Sequence, residues 1–204
     1  MNDPRFTLIK ANASFVSPHE LKVGQKIIKA KNFIIATGSI IAEFPVPGLT
    51  ESGFLTSDDI LKLRQIPESM VVLGAGPVAV ELAQFFCRLG TRTTLIQRSN
   101  HILSKGDEDL ARPVEERFRE EGMEVYTGTQ LLRVEKSEDN RTVYFTHKGD
   151  EKAVSSQTIL QALGRKPNID GLNLSAASVN TVKGRIEVDH EMRTSVHNIY
   201  AVGD

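Results

Sequence analysis

Apolar positions in the first 36 residues come in short runs broken by polar turns. Residues 6–9, 13–16, 20–23 and 25–30 are separated by Ser-Pro and Gly signals, and each run predicts a short strand. Phe33-Ile34-Ile35-Ala36 follows as an apolar run that reads as a buried strand. Residues 40–52 carry Pro45, Pro47 and Gly48, with Gly53 just beyond, and predict a linker or crossover. Ser57 is placed to cap a short helix through residues 58–63, with Pro67 as a stop beyond it.

From residue 70 the period changes. Residues 70–73 are wholly apolar, Gly74-Ala75-Gly76-Pro77 follows, and a helix is predicted over 77–89. Pro77 suits a first helical position, and Gly90 offers a left-handed stop. Glu81, Gln84 and Arg88 form the only polar stripe of that helix, so it is expected to lie mostly buried against a sheet. A strand at 93–96, a helix ending near Glu121 and a strand at 123–126 come next. Pro113 falls inside the second helix, which allows a start as late as Leu110. Strands at 130–135, 141–146 and 152–155, turning at 137–140 and Gly149-Asp150, read as an antiparallel meander, and 158–162 as a buried strand. The fold class expected is α/β: a Rossmann-like parallel sheet with an inserted antiparallel β-meander and further β segments on either side.

Charge adds little. Lys and Arg number 25 against 26 Asp and Glu, interspersed, so nothing points to a nucleic-acid or membrane partner. No stretch approaches the roughly 20 apolar residues of a spanning helix, and residues 1–5 lack a leader's layout. The single cysteine, Cys87, lies in an apolar set and is expected to be buried and structural; one thiol fits a reducing compartment, the cytoplasm. His19, His101, His147, His190 and His197 are scattered without metal-ligand spacing, so no metal site is expected.

The chemistry lies in Gly74-Ala75-Gly76-Pro77-Val78-Ala79, which matches G-x-G-x-x-G/A between a strand and a helix. The first glycine turns the chain, the second lets backbone approach a pyrophosphate, and the third small residue lets helix sit close on strand. The phosphates would rest on free amides at the positive end of the helix that opens with Pro77, Val78 and Ala79. Where an acid would hold the adenosine ribose, the second strand ends in Gln97-Arg98, with Lys105 nearby. Gln97 can bond a ribose hydroxyl, and Arg98 can pair with a 2′-phosphate, which favours NADP(H) slightly over NAD(H).

Three further runs carry a resemblance: Ala162-Leu163-Gly164-Arg165-Lys166-Pro167-Asn168, Ile35-Ala36-Thr37-Gly38-Ser39, and Met192-Arg193-Thr194-Ser195 with Asn198-Ile199-Tyr200-Ala201-Val202-Gly203-Asp204. With the glycine loop they make the whole chain similar to the pyridine nucleotide–disulfide oxidoreductases, which include dihydrolipoamide dehydrogenase, mercuric reductase and glutathione reductase. The resemblance implies a nicotinamide-dinucleotide domain at 67–186, partial FAD-domain segments at 1–42 and 187–204, and a crossover at 43–66. It implies that Thr37, Gly38 and Asp204 bind FAD, that Ala162 and Gly164 line the nicotinamide side, and that Glu81 is the catalytic glutamate near nicotinamide and flavin. Arg165 is expected to anchor its loop. Pro77 stands where some members carry a residue covering the nicotinamide pocket. The implied activity is hydride transfer from nicotinamide to FAD, then to a small disulfide or a metal ion, in a full-length homodimer of which this chain is a portion, inactive alone. A non-catalytic nucleotide-sensing module is the alternative.

Overall fold

The computed structural model describes residues 5–204; residues 1–4, part of the stretch read for a leader, lie outside them. The described residues form two compact units, residues 5–40 with Arg165–Asp204, and Ile41–Gly164.

In chain order, β1 (Ala13–Ser17), β2 (Glu20–Val23) and β3 (Lys26–Lys29) form an antiparallel sheet. They are followed by β4 (Phe33–Ile35), β5 (Ser39–Ile41), α1 (Leu49–Ser52), α2 (Ser57–Ile60) and β6 (Ser69–Leu73). Then come α3 (Pro77–Arg88), β7 (Arg92–Ile96), α4 (Glu108–Glu120) and β8 (Glu124–Tyr126). The meander is β9 (Thr129–Lys136), β10 (Arg141–His147) and β11 (Asp150–Ser156), and β12 (Thr158–Gln161) returns to the parallel sheet. The last segment holds β13 (Arg165–Pro167), two 3-10 turns, β14 (Thr181–Val182), β15 (Arg185–Ile186) and β16 (Ile199–Ala201).

The second unit is built on the parallel order β12-β6-β7-β8. On one face Met70, Val72, Leu95 and Leu160 meet Ala79, Ala83 and Phe86 of α3 and Phe118 of α4. On the other, Val71, Leu73, Ile96 and Ile159 meet Val134, Val143 and Phe145 of the meander. Covered on both sides, β6 is buried at every position, which is why it reads as an unbroken apolar run.

Several expectations are corrected by this packing. Residues 6–9 form no strand, and Phe6 and Leu8 are 69% and 68% exposed. A strand needs a neighbour for its backbone groups, and the described sheet of this region contains only β1, β2 and β3. The stretch 43–66 is more than a linker: Leu49 is buried beside Val71 and Ile159, and Leu55 bridges in parallel to Leu160. Thr56, not Ser57, precedes α2, and the Asp59 carboxylate accepts from the Thr56 N–H at 3.1 Å and its hydroxyl at 2.6 Å. Helix α4 starts at Glu108, within the range that the sequence allows, because Asp107 caps it by accepting from the Asp109 N–H at 3.3 Å. Pro113 costs only the bond to the carbonyl of exposed Asp109, which water can replace.

Helix α3 is less buried than expected. A helix lying on one face of a sheet hides one stripe, here Ala79, Ala83 and Phe86, and leaves Val78, Phe85 and Leu89 exposed. Residues 165–186 also differ. Leu174, Ala177 and Val179 share a core with Phe15, Phe33 and Ile199, so this stretch packs in the first unit rather than with the expected 67–186 domain.

The far ends of α3 and α4 are tied together at Glu121. Its carboxylate accepts from Arg88 at 2.7 Å, from Gln84 at 3.1 Å and from Arg117 at 2.8 Å. The Arg88 guanidinium first of all, with Gln84 and Arg117 behind it, holds this acid down at about 2 against an ordinary 4.5. An acid depressed on folding contributes stability above its unfolded value and loses it as pH falls toward the folded one. Glu121→Gln is therefore expected to be less stable than the parent near neutral pH. In urea unfolding curves the two should converge as pH drops from about 4.5 to about 2. A gap that persists at the acid end would show that the carboxylate charge is not its source.

Candidate dinucleotide-binding site

Chain order and strand order together place the site. From β6 the chain moves to β7 and β8 on one side, while β12 joins on the other. The order reverses between β12 and β6, and ligands of open parallel sheets sit at the carboxyl ends of strands at such a point. Leu73 and Gln161 are paired there, so Gly74 and Ala162 leave the sheet side by side.

Gly74 is required twice over. Its φ is +99°, and a Cβ on it would stand 2.5 Å from the Ala162 carbonyl oxygen. Gly76 is different in kind: φ is −73°, open to any residue, and a Cβ there would meet nothing within 4 Å. Nothing in the chain itself calls for glycine at that position. The space is the kind of cradle that a ligand backbone group fills.

Gly76 is also the N-cap of α3 and supplies no side-chain acceptor, and the first turn holds no acid. Pro77 at the first position has no N–H to leave unmet, whereas the Val78 and Ala79 amides have no acceptor within the helix. Pro77 and Val78 are exposed, and Ala79, at 1%, lies close on the sheet. The dinucleotide's anionic diphosphate fits this donor set.

At the end of β7, Gln97 is half-buried, its N–H bonded to the Tyr126 carbonyl and its side-chain oxygen accepting from the Arg98 N–H at 3.1 Å. Arg98 is exposed, and no acidic partner stands beside it among the described residues. On the β12 side, Ala162 donates to the Leu73 carbonyl at 2.9 Å, and the Gly164 carbonyl accepts from Ala42 at 3.1 Å. Glu81 is exposed on α3 and lines an apolar cavity of about 410 Å³ with Leu63, Ile66, Leu82, Phe85 and Leu89.

The remaining candidates belong to the first unit. β4 and β16 are parallel, with Ile35 opposite Ala201, so Thr37-Gly38 and Gly203-Asp204 leave the same end of one strand pair. The Gly38 carbonyl accepts from the Asn168 N–H at 2.9 Å. Arg165 donates to both the carbonyl and the hydroxyl of Ser39 at 2.8 Å, so it does anchor its loop. Cys87 is half-buried rather than buried. Its thiol donates to the Glu121 carbonyl at 3.4 Å, and burial pushes its pKa above the usual thiol range, which makes it a poor nucleophile.

Leu103 escaped the sequence reading. It adopts φ of 51° and donates its N–H to the Ala75 carbonyl at 2.8 Å, pinning the 99–106 loop to the glycine loop. A leucine carries no signal for a left-handed backbone, so only the fold reveals it.

A parallel sheet with a reversal point, a glycine turn forced by its neighbours and a second glycine facing open space define an α/β protein of the dinucleotide-binding Rossmann class. A model of the family described as pyridine nucleotide-disulphide oxidoreductase matches residues 1–204, and the chain belongs to that family of flavin-dependent oxidoreductases. Mercuric reductase of Lysinibacillus sphaericus is 38% identical over all of this chain and 38% of its own length. Dihydrolipoyl dehydrogenase of Bacillus subtilis is 35% identical over all of this chain and 45% of its own. Among solved structures, the Cu(II) complex of the HOCl-induced flavoprotein disulfide reductase RclA from Escherichia coli superposes with a TM-score of 0.89 at 26% identity. That match covers 98% of this chain and 46% of RclA, so the chain spans under half the length of these relatives. No helix among the described residues is long and apolar enough to cross a membrane.

Proposed function

We propose that this chain is the NAD(P)H-binding portion of a flavin-dependent oxidoreductase that passes hydride from nicotinamide to FAD and on to a disulfide or metal-ion substrate. Gly76 carries the reading, because its backbone angles and its surroundings leave an outside group as the reason for glycine.

In this reading the diphosphate lies on the Val78 and Ala79 amides beside Gly74 and Gly76. Gln97 holds the adenosine ribose, and Arg98, with Lys105, takes a 2′-phosphate, which favours NADP(H) slightly over NAD(H). With adenosine over β7 and the diphosphate at β6, the nicotinamide extends toward β12, where Ala162 and Gly164 border it and Glu81 faces it from α3. Thr37, Gly38 and Asp204, within the segments 1–42 and 187–204, contribute to FAD binding. When bound, the nicotinamide supplies the hydride and the flavin receives it. The chain's share is placement, holding donor and acceptor in a reactive geometry. The full-length enzyme is a cytoplasmic homodimer in this reading, which rests on family membership.

Titration of the protein with NADPH and NADH tests it. The backbone amides of residues 74–79 are expected to shift, and a spectrum unmoved at saturating nucleotide defeats the proposal. Arg98→Met is expected to lower the NADPH-to-NADH affinity ratio about tenfold, the worth of one charge-assisted bond. Calorimetry with both nucleotides reads this directly; an unchanged ratio takes Arg98 out of the phosphate site.

A further inference from the structure

The loop that follows Arg98 is held from below by a carboxylate that the dinucleotide reading leaves unused. Glu115, on α4, is only 8% exposed. One of its oxygens accepts from the Ile102 N–H at 2.9 Å, and the other accepts from Arg119 at 3.1 Å. Ile102 is fully buried in the core shared by α3 and α4. The next residue, Leu103, takes a left-handed backbone and donates to the Ala75 carbonyl at 2.8 Å.

Such a backbone costs a leucine on the order of 1 kcal/mol, so its neighbours must impose it. The two neighbouring amides are both committed, Ile102 to Glu115 and Leu103 to Ala75. The Ala75 carbonyl and the Gly76 N–H belong to one planar trans peptide and point in opposite directions. Fixing the carbonyl therefore fixes the direction of the Gly76 amide, in the middle of the glycine loop. A buried carboxylate on α4 thus reaches the geometry of the loop after β6.

We infer that Glu115 is a positioning residue for dinucleotide binding: through Ile102, Leu103 and Ala75 it preorganises the glycine loop and the Arg98–Lys105 segment before nucleotide arrives. The inference rests on the proposed dinucleotide site. A preformed loop spares the ligand the cost of ordering it, and affinity gains accordingly.

The test compares Glu115→Gln, which keeps an acceptor for the Ile102 amide, with Glu115→Leu, which does not. Calorimetry with NADPH and NADH is expected to place Glu115→Gln within about twofold of the parent, and Glu115→Leu about tenfold weaker for both. Amide exchange in the parent, measured without and with NADPH, gives an arm that does not depend on a variant folding. The Ile102 and Leu103 amides are expected to be protected already in the free protein. Rapid exchange there until nucleotide binds would overturn the inference, as would unchanged affinity in Glu115→Leu or an equal loss in Glu115→Gln. A parent protein that binds neither nucleotide would sink the dinucleotide site and this inference with it. A parent that binds normally beside an unaffected Glu115→Leu would sink the inference alone.

Discussion

Gly76→Ala is expected to keep the protein folded, up to about 1 kcal/mol more stable than the parent, while its affinity for NADPH and NADH falls about a hundredfold or more. Both halves follow from the same residue. Its φ of −73° suits alanine, and the added methyl meets no atom of the chain within 4 Å, so the folded state bears no strain. The unfolded chain meanwhile loses the freedom of glycine, which favours folding slightly. The methyl would occupy the space beside the Val78 and Ala79 amides where a diphosphate must come within hydrogen-bond distance of backbone. Urea unfolding and calorimetric titration of the same preparation separate the effects. A variant that binds nucleotide as the parent does would mean that the space beside Gly76 is not the phosphate site.

The parallel sheet and its glycine loop were legible because each rests on local rules that agree. An apolar run long enough for a doubly covered strand, a turn that needs glycine and a proline at a first helical position all point to one arrangement. The meander was legible for the same reason, since its turns carry Gly149-Asp150 and a charged tip at 137–140. What escaped depends on neighbours distant in sequence. Phe6 and Leu8 alternate as a strand would, yet pairing requires a second chain segment. Leu174, Ala177 and Val179 look like any apolar residues in a loop, and only their contact with Phe15, Phe33 and Ile199 assigns them to the first unit. On α3 the composition hides the stripe: with apolar residues on nearly every side, sequence cannot say that Phe85 and Leu89 face outward. The candidate site divides along the same line. Gly74, Gly76 and Ala79 could be read from spacing alone, whereas the support that Leu103 and Glu115 give the loop needs α4 to be placed.

Gly74→Ala should be strongly damaging to the second unit, costing about 3 kcal/mol of stability. The new Cβ would stand 2.5 Å from the oxygen and 2.9 Å from the carbon of the Ala162 carbonyl, both backbone atoms with no rotamer to retreat into. The φ of +99° adds strain that no L side chain escapes. Relief requires the ends of β6 and β12 to move apart. That motion would break the bond from the Ala162 N–H to the Leu73 carbonyl and loosen the one from the Gly74 N–H to the Ile96 carbonyl. Against a typical total of about 5–15 kcal/mol, such a loss is large enough to move the urea midpoint clearly. Dinucleotide binding should fall as well, but here with the fold, whereas in Gly76→Ala it falls with the fold intact. Faster amide exchange at Gly74 and Ala162, together with the lowered midpoint, is the expected signature. A midpoint within about 0.5 kcal/mol of the parent, at the scale of an ordinary surface change, would mean that the two loops do not meet as closely as 2.5 Å implies.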